Sequence, residues 1–168
     1  MKLIFYIFTA FLLSACWPKS ISFVDGTMPE DWKMFIVHPI KNNAPNAPIY
    51  YSSNLAEEIK DGIQNGTRLK LATSEGEAQI EIEGTIVSYS INPIALQEGD
   101  NASQNRLSVS VKFEIFITAA EEDEMNLVST RFFDYNSSTD IGTVESQFLE
   151  EITTQVVQDV INKLLSNW

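Results

Sequence analysis

Between Leu107 and Ile117 the chain alternates without a break. Leu107, Val109, Val111, Phe113, Ile115 and Ile117 are apolar, and Ser108, Ser110, Lys112, Glu114 and Phe116 stand between them. A period of two predicts a strand with one buried face and one largely wet face. A second pattern closes the chain. Val144, Phe148, Ile152, Val156, Val160, Leu164 and Trp168 recur at four-residue spacing, and Leu149, Val157, Ile161 and Leu165 widen the stripe. This predicts an amphipathic helix from Thr143 to Ser166, with Glu145, Glu150 and Glu151 near its start and Lys163 near its end, as the helix dipole favours.

The remaining segments are shorter. Trp32 to Val37 reads as a first strand ended by Pro39, and Lys41 to Pro48 as a loop rich in Asn and Pro. A helix is expected from Pro48, with Leu55, Ile59 and Ile63 on its apolar face. Asn65-Gly66 ends it, and Gly66 suits the left-handed position beyond a helix C-terminus. Arg68 to Leu71 is a short strand. Ala78 to Ile91 is a longer one whose apolar phase changes near Gly84 to Ile86, which predicts a bulge. Residues 92–105 read as a polar loop, Glu121 to Glu124 as a charged turn, and Asn126 to Tyr135 as the last strand. Half-wet strands need cover on their apolar face, and the two helices are the only cover available. The expected fold class is α+β, with both helices packed on one face of a mostly antiparallel sheet.

The N-terminus carries a different signal. Lys2 precedes a short apolar run from Leu3 to Leu13, followed by Leu13-Ser14-Ala15-Cys16. This has the form of a secretory signal, whose apolar stretch is about 7–15 residues. It is too short to span a bilayer, which takes about 20. A cysteine directly after Leu-Ser-Ala resembles the lipobox of bacterial lipoproteins. That resemblance implies cleavage before Cys16 and acylation of Cys16, by palmitate or a similar chain. Several acyl chains at one terminus anchor a protein stably, whereas one does not. The expected organisation is a signal peptide at 1–15, a lipidated N-terminus and tether at 16–31, and a single domain at 32–168.

Composition narrows the chemistry. Loss of residues 1–15 leaves 153 of 168, enough for one domain without staples. Cys16 is the only cysteine and His38 the only histidine. Structural disulfides, cysteine-ligated zinc, multi-histidine metal sites and a His–Cys nucleophilic pair are thereby excluded. The mature part keeps all 23 acidic residues and ten of the eleven basic ones, a side-chain balance of −13. That argues against nucleic-acid binding and against broad attraction to anionic headgroups, while leaving room for a local basic patch. The turn at 121–124 lacks the ligand spacing and the glycine of a calcium loop. His38 next to Pro39 reads as a strand-end residue. There is no phosphate-binding glycine loop, no Gly-x-Ser-x-Gly elbow and no His-Glu-x-x-His. No metal, cofactor or catalytic residue is expected.

In their order and spacing, a series of segments is similar to the LptE family, the lipopolysaccharide-assembly lipoproteins of the Gram-negative outer membrane. They begin with the lipobox at Cys16, Ser22-Phe23, Gly26, Pro29, Phe35 and Asn42-Asn43-Ala44-Pro45. They continue through Thr67-Arg68-Leu69, Gly84 to Pro93, Asn105 to Lys112, Arg131 to Tyr135, Glu150-Glu151-Ile152 and Asn167-Trp168. The resemblance implies two helices against a four- or five-stranded sheet and no enzymatic activity. It implies an outer-membrane location on the periplasmic side. It implies a β-barrel partner, LptD, which such proteins plug and help to assemble, and a part in delivering lipopolysaccharide to the outer leaflet. The family's proposed lipopolysaccharide contacts are basic, and no residue of this acidic chain is assigned to them. Two other readings stand beside this one: an accessory lipoprotein of another envelope lipid transporter, and a carboxylate-dependent envelope hydrolase.

The expected docking surface follows from what a barrel lumen offers, which is polar side chains and water. Ser108 and Ser110, with Ser88 and Ser90 on another strand, make a wet face that approaches without desolvating charge. Asn42, Asn43, Asn92, Asn105 and Arg106 are the residues expected at the barrel contact, and Glu121 to Glu124 are expected to stay in solvent.

Overall fold

The computed structural model describes residues 28–94, 104–119 and 123–165. Cys16 and the signal-like run lie outside the described residues, as do 95–103, 120–122 and 166–168. In chain order the elements are β1 (Met34–Val37), β2 (Lys41–Asn42), α1 (Tyr51–Gly66), β3 (Lys70–Leu71), a 3₁₀ turn (Glu75–Glu77), β4 (Ile80–Ile94), β5 (Gln104–Ile117), β6 (Asp123–Asn136) and α2 (Ile141–Leu165). The strands form one sheet in the order β3-β1-β4-β5-β6, with β2 also paired to β4.

Long antiparallel ladders join β4, β5 and β6. The other end of the sheet is parallel. β1 runs parallel to β3 and β4, and β2 runs parallel to β4. Parallel neighbours need a crossover connection, and α1 supplies it between β1 and β3. Lys41–Asn42, expected in a loop, adds the strand that brings the sheet to six.

Along β5 the expected alternation is complete. Leu107, Val109, Val111, Phe113 and Ile115 are fully buried, and the residues between them are not. α1 packs on β1 and β3, α2 packs on β5 and β6, and the helices touch each other. One continuous apolar core lies between this helical layer and the inner face of the sheet. The bulge falls at Val87, where the β4–β5 register shifts between Ile86 and Ser88. The extra residue changes the inward parity, so Ile86 and Tyr89 are both buried while Val87 is exposed.

Three boundaries differ from expectation. Asn92 to Ile94 and Gln104 to Asn105 are not loop but extend the ladder, Asn92 opposite Arg106 and Pro93 opposite Asn105. A proline is tolerated at a sheet edge, and beyond Ile86 no described residue pairs with β4 on its other side. Gly66 is the last residue of α1 and adopts no left-handed conformation. The helix is closed by Thr67 instead. Its N–H donates to the Ile63 carbonyl at 2.9 Å, its hydroxyl donates to the same oxygen at 2.7 Å, and that hydroxyl accepts the Leu69 N–H at 3.1 Å. α2 begins at Ile141 because Asp140 caps it. The Asp140 carboxylate accepts the Gly142 N–H at 3.1 Å, and its carbonyl accepts the Thr143 N–H and hydroxyl.

The segment before β1 is part of the fold from Met28 onward. Met28 and Trp32 are buried, and the Arg68 guanidinium donates to the carbonyls of Met28, at 2.6 Å, and Pro29. At its C-terminal end, the stretch expected to be tether is packed against the domain.

A candidate docking face and the family it belongs to

Among the described residues the helices cover one face of the sheet and leave the other bare. The register of β4, β5 and β6 arranges the bare face in rows across three strands. Glu81, Phe116 and Glu124 form one row, and Glu83, Glu114 and Asn126 the next. Then come Thr85, Lys112 and Val128; Ser88, Ser110 and Thr130; Ser90, Ser108 and Phe132; and finally Asn92, Arg106 and Asp134. The face therefore grades from carboxylates at one end, through small neutral hydroxyls, to an amide–guanidinium row at the other.

Arg106 organises the last two rows. Its Nε and Nη2 donate to the two carboxylate oxygens of Asp134, both at 2.7 Å. Its guanidinium carbon lies 3.7 Å above the centre of the Phe132 ring. Arg106 holds the Asp134 carboxyl below the usual carboxylate range. Asn92 stands opposite Arg106 on β4, and its amide donates to the Ser90 hydroxyl at 3.2 Å. Ser110 and Thr130 share a hydrogen bond in the centre. The acidic rows carry their own pairs, Lys112–Glu114 at 2.9 Å and Lys41–Glu83 at 3.1 Å.

The structure brings together only part of the expected contact set. Asn92 and Arg106 are cross-strand neighbours on the bare face. Asn105 is not with them: one residue out of phase, it belongs to the helix side of the sheet, opposite Pro93 and Tyr135. Asn42 and Asn43 lie at the other edge of β4, level with Ile86. Asn92 is six residues further along that strand, about 20 Å away. Asn42 also has a local task, since its side-chain oxygen accepts the Ala44 N–H at 3.1 Å. Of the acidic turn, Glu121 and Glu122 lie outside the described residues, and Asp123 and Glu124 are exposed. His38 sits at the end of β1, with Nε2 3.1 Å from Glu81 and Nδ1 3.9 Å from Glu75.

Two polar clusters on the helix side were not anticipated. Asp159 of α2 accepts hydrogen bonds from the buried Ser129 hydroxyl at 2.6 Å and from Arg131 Nε at 2.8 Å, and Arg131 Nη2 completes a bidentate pair. Burial pushes the Asp159 carboxyl up, but the hydrogen bonds from Arg131 and Ser129 and the charge of Arg131 prevail, and it titrates below the usual range. The signal for this cluster is present in the sequence. Ser129 and Arg131 interrupt the apolar parity of the strand, and a carboxylate lies on the facing helix. The second cluster is at the start of α2. There the Tyr89 hydroxyl donates to Glu145, and Phe148 stacks on Phe133 with centroids 4.2 Å apart. Burial, then the hydrogen bond and charge of Glu145, push the Tyr89 phenol well above its usual range.

Among the described residues no group of three or more His, Cys, Asp or Glu side chains is placed to hold a metal. No helix among them is long and apolar enough to cross a membrane. A cavity of about 300 Å³ opens between the helices, with Tyr51, Leu149, Glu58 and Glu150 in its walls and no basic group in its lining.

A helix pair on one face of a mixed sheet, with the other face uncovered among the described residues, defines a two-layer α+β domain. Solved bacterial proteins, two of them lipoproteins, share this fold. A minor lipoprotein from Acinetobacter baumannii is similar with a TM-score of 0.54 at 12% identity, over 81% of this chain and 94% of that one. Lipoprotein B from Nitrosomonas europaea reaches 0.51 at 14%, over 83% and 84%. A PelC dodecamer from Paraburkholderia phytofirmans reaches 0.50 at 12%, over 84% and 94%. At such identities the likeness shows the fold and not the role. No curated protein matches this chain at significant similarity. The family is decided by sequence. The family model LptE, described as lipopolysaccharide-assembly, matches residues 32–164, and the chain belongs to the LptE family. Membership carries a lipopolysaccharide-assembly role with it.

Proposed function

We propose that this protein is an outer-membrane lipoprotein, acylated at Cys16 and facing the periplasm. In this reading it assists an LptD-like β-barrel to assemble and to pass lipopolysaccharide to the outer leaflet. The observation that carries the reading is the family match over residues 32–164. The bare sheet face adds physical support. A polar lumen wall accepts hydroxyl, amide and guanidinium groups whose hydrogen bonds it can replace. A cluster of carboxylates suits it less, because desolvating charge is costly even where each acid has a partner. The docking half is therefore the one bearing Ser88, Ser90, Ser108, Ser110, Asn92 and Arg106. Asn42 and Asn43 form a separate contact at the β4 edge, and Asn105 one on the helix side.

Affinity capture of the tagged mature protein from solubilised envelopes tests the partner. Stable recovery of an outer-membrane β-barrel is expected. Recovery of an inner-membrane transporter instead would transfer the role to another lipid-transport system. Photocrosslinkers at Asn92, Arg106 and Ser108 test the orientation. They should link to the barrel, while Glu83, Glu114 and Glu124 should not. The reverse pattern would sink the proposed face.

A further inference from the structure

The two helices lie side by side but not at constant separation. Toward the C-terminal end of α1, Gly62 and Gly66 let α2 approach closely, against Val157 and Ile161. At its N-terminal end two tyrosines stand between the helices. Tyr51 is buried, its oxygen accepting the Thr153 hydroxyl at 3.3 Å, and Tyr50 beside it is half-exposed. The cavity of about 300 Å³ opens here. Asn54 and Glu58 stand one turn apart on its α1 wall, and Glu150 and Thr154 one turn apart on its α2 wall. No base lines it. Among the described residues neither Glu58 nor Glu150 has an ion-pair partner. Lys41, Lys60, Arg106, Lys112 and Arg131 are each paired with another acid. Negative charge also reaches the mouth from Glu145, which together with burial, the larger cause, holds the Tyr50 phenol above its usual range.

We propose that this cleft receives an arginine side chain projecting from the lumen wall of the β-barrel partner. The identity of the partner rests on the function proposed above, and the chemistry rests on the cleft. A barrel wall surrounds its plug, so the helix layer meets polar lumen side chains as the sheet does. Two carboxylates on facing walls, with no cation of their own, attract one from outside. A cavity of this size is at the lower limit for small ligands, which suits a single long side chain. A guanidinium suits it better than an ammonium. Its planar fork offers five donors, enough for a carboxylate on each wall, and its face stacks on an aromatic ring. Tyr50 supplies that ring at the mouth. The acids of the sheet face differ, because Lys112 and Lys41 already pair Glu114 and Glu83. There an incoming cation gains little. In the cleft it completes a pair that this chain leaves open.

Two measurements decide it. The first titrates N-acetyl-arginine amide into the purified mature protein and follows backbone amide shifts by NMR. Saturable shifts are expected around Asn54, Glu58, Glu150 and Thr154, with a Kd on the order of 1 mM for a fragment of that size. N-acetyl-citrulline amide has the same shape without the charge and should bind at least about fivefold more weakly, as loss of an exposed ion pair implies. Glu58→Gln and Glu150→Gln together should weaken the arginine amide about tenfold. Both positions are exposed, so the fold should be unaffected and the melting temperature unchanged. The second measurement places photocrosslinkers at Asn54 and Thr154 in living envelopes. They should link to the barrel at an arginine-bearing segment, and the double Gln variant should lower the yield. Absence of saturable shifts, or equal binding of the arginine and citrulline amides, would overturn the cleft chemistry. Tight binding of spermidine with no protein crosslink from either position would make the occupant a small polyamine and overturn the side-chain assignment. If the barrel is recovered by affinity capture but Asn54 and Thr154 link to nothing, this inference falls and the barrel reading stands. If the arginine amide binds but no barrel is recovered, the barrel reading falls and takes the named source with it.

Discussion

Gly62 lies inside α1, where glycine is about 1 kcal/mol less favourable than alanine. The ordinary expectation for Gly62→Ala is therefore a gain. The structure predicts a loss. A Cβ placed on Gly62 would lie 2.2 Å from Cγ1 of Val157 on α2. Carbon atoms attract at about 3.5–4.0 Å, so this contact is more than 1 Å inside the wall. The methyl it strikes cannot swing aside, because valine in a helix keeps one χ1 rotamer about 90% of the time. Either Val157 leaves its rotamer or the helices move apart. Moving them apart would loosen the neighbouring contacts, Gly66 with Ile161 and Tyr51 with Thr153. Overpacking of this kind costs about 1–3 kcal/mol. A 2.2 Å approach belongs to the upper part of that range, about 2–3 kcal/mol, so against a propensity gain of about 1 kcal/mol the net effect is a destabilisation of about 1–2 kcal/mol. With a urea slope of about 1–3 kcal/mol per molar, the midpoint should fall by roughly 0.5–1 M. Gly66→Ala is the internal control. Its Cβ would lie 3.1 Å from the flexible tip of Ile161, so its cost should be near zero. Val157→Ala should rescue Gly62→Ala, leaving a favourable coupling of about 1 kcal/mol or more in the double-mutant cycle. A Gly62→Ala midpoint equal to or above wild type, at unchanged slope, would refute the reasoning.

Phe113 is fully buried, and Phe148 is buried with its ring stacked on Phe133. Each truncated to alanine should cost about 3–5 kcal/mol by chemical denaturation, and a loss below about 1 kcal/mol at both would mean that the core is misassigned. Asp159 and Asp134 titrate below the usual range in the folded state. Their stabilisation is therefore complete above the unfolded value of about 3.9 and is lost as pH falls through the lower folded values. The denaturation midpoint should drop below about pH 4, and Asp159→Asn should remove part of that drop; an unchanged pH profile would deny Asp159 the role. Cys16→Ala should abolish incorporation of labelled palmitate, and continued labelling would place the acyl chain elsewhere.

The two readable periods carried most of the architecture. β5 was legible because its apolar residues alternate strictly, and α2 because its stripe runs unbroken over six turns. What stayed hidden depends on partners rather than on local pattern. Lys41–Asn42 is two residues long, has no periodicity, and is a strand only because Ile86 offers its carbonyl to the Asn43 N–H. The parallel direction of β1 is a property of the crossover through α1, not of Met34 to Val37. Gly66 reads as a turn signal, yet it is the last helical residue and has no left-handed φ, because Thr67 closes the helix. The docking set suffered in the same way. A loop over 92–105 has no parity, so the sequence does not place Asn105 on a different face from Arg106 beside it. Once the strand begins at Gln104, they belong to opposite faces.

The sheet therefore presents two unlike surfaces whose separation is set by the pleat. On the inner side of β6, Ser129 and Arg131 are committed to Asp159 and hold α2 against the sheet. On the outer side Val128, Thr130 and Phe132 are free of any helix, and Arg106 stacks on Phe132. A substitution at Val128 or Thr130 should thus leave stability nearly unchanged, whereas one at Ser129 or Arg131 should lower it by loosening α2. Asp134 is the exception on the outer side, because Arg106 holds its carboxylate. Chemical denaturation of the single variants reads the difference. A strand that served only as the rim of the core would show no such parity, and equal losses at Val128→Ala and Ser129→Ala would refute it.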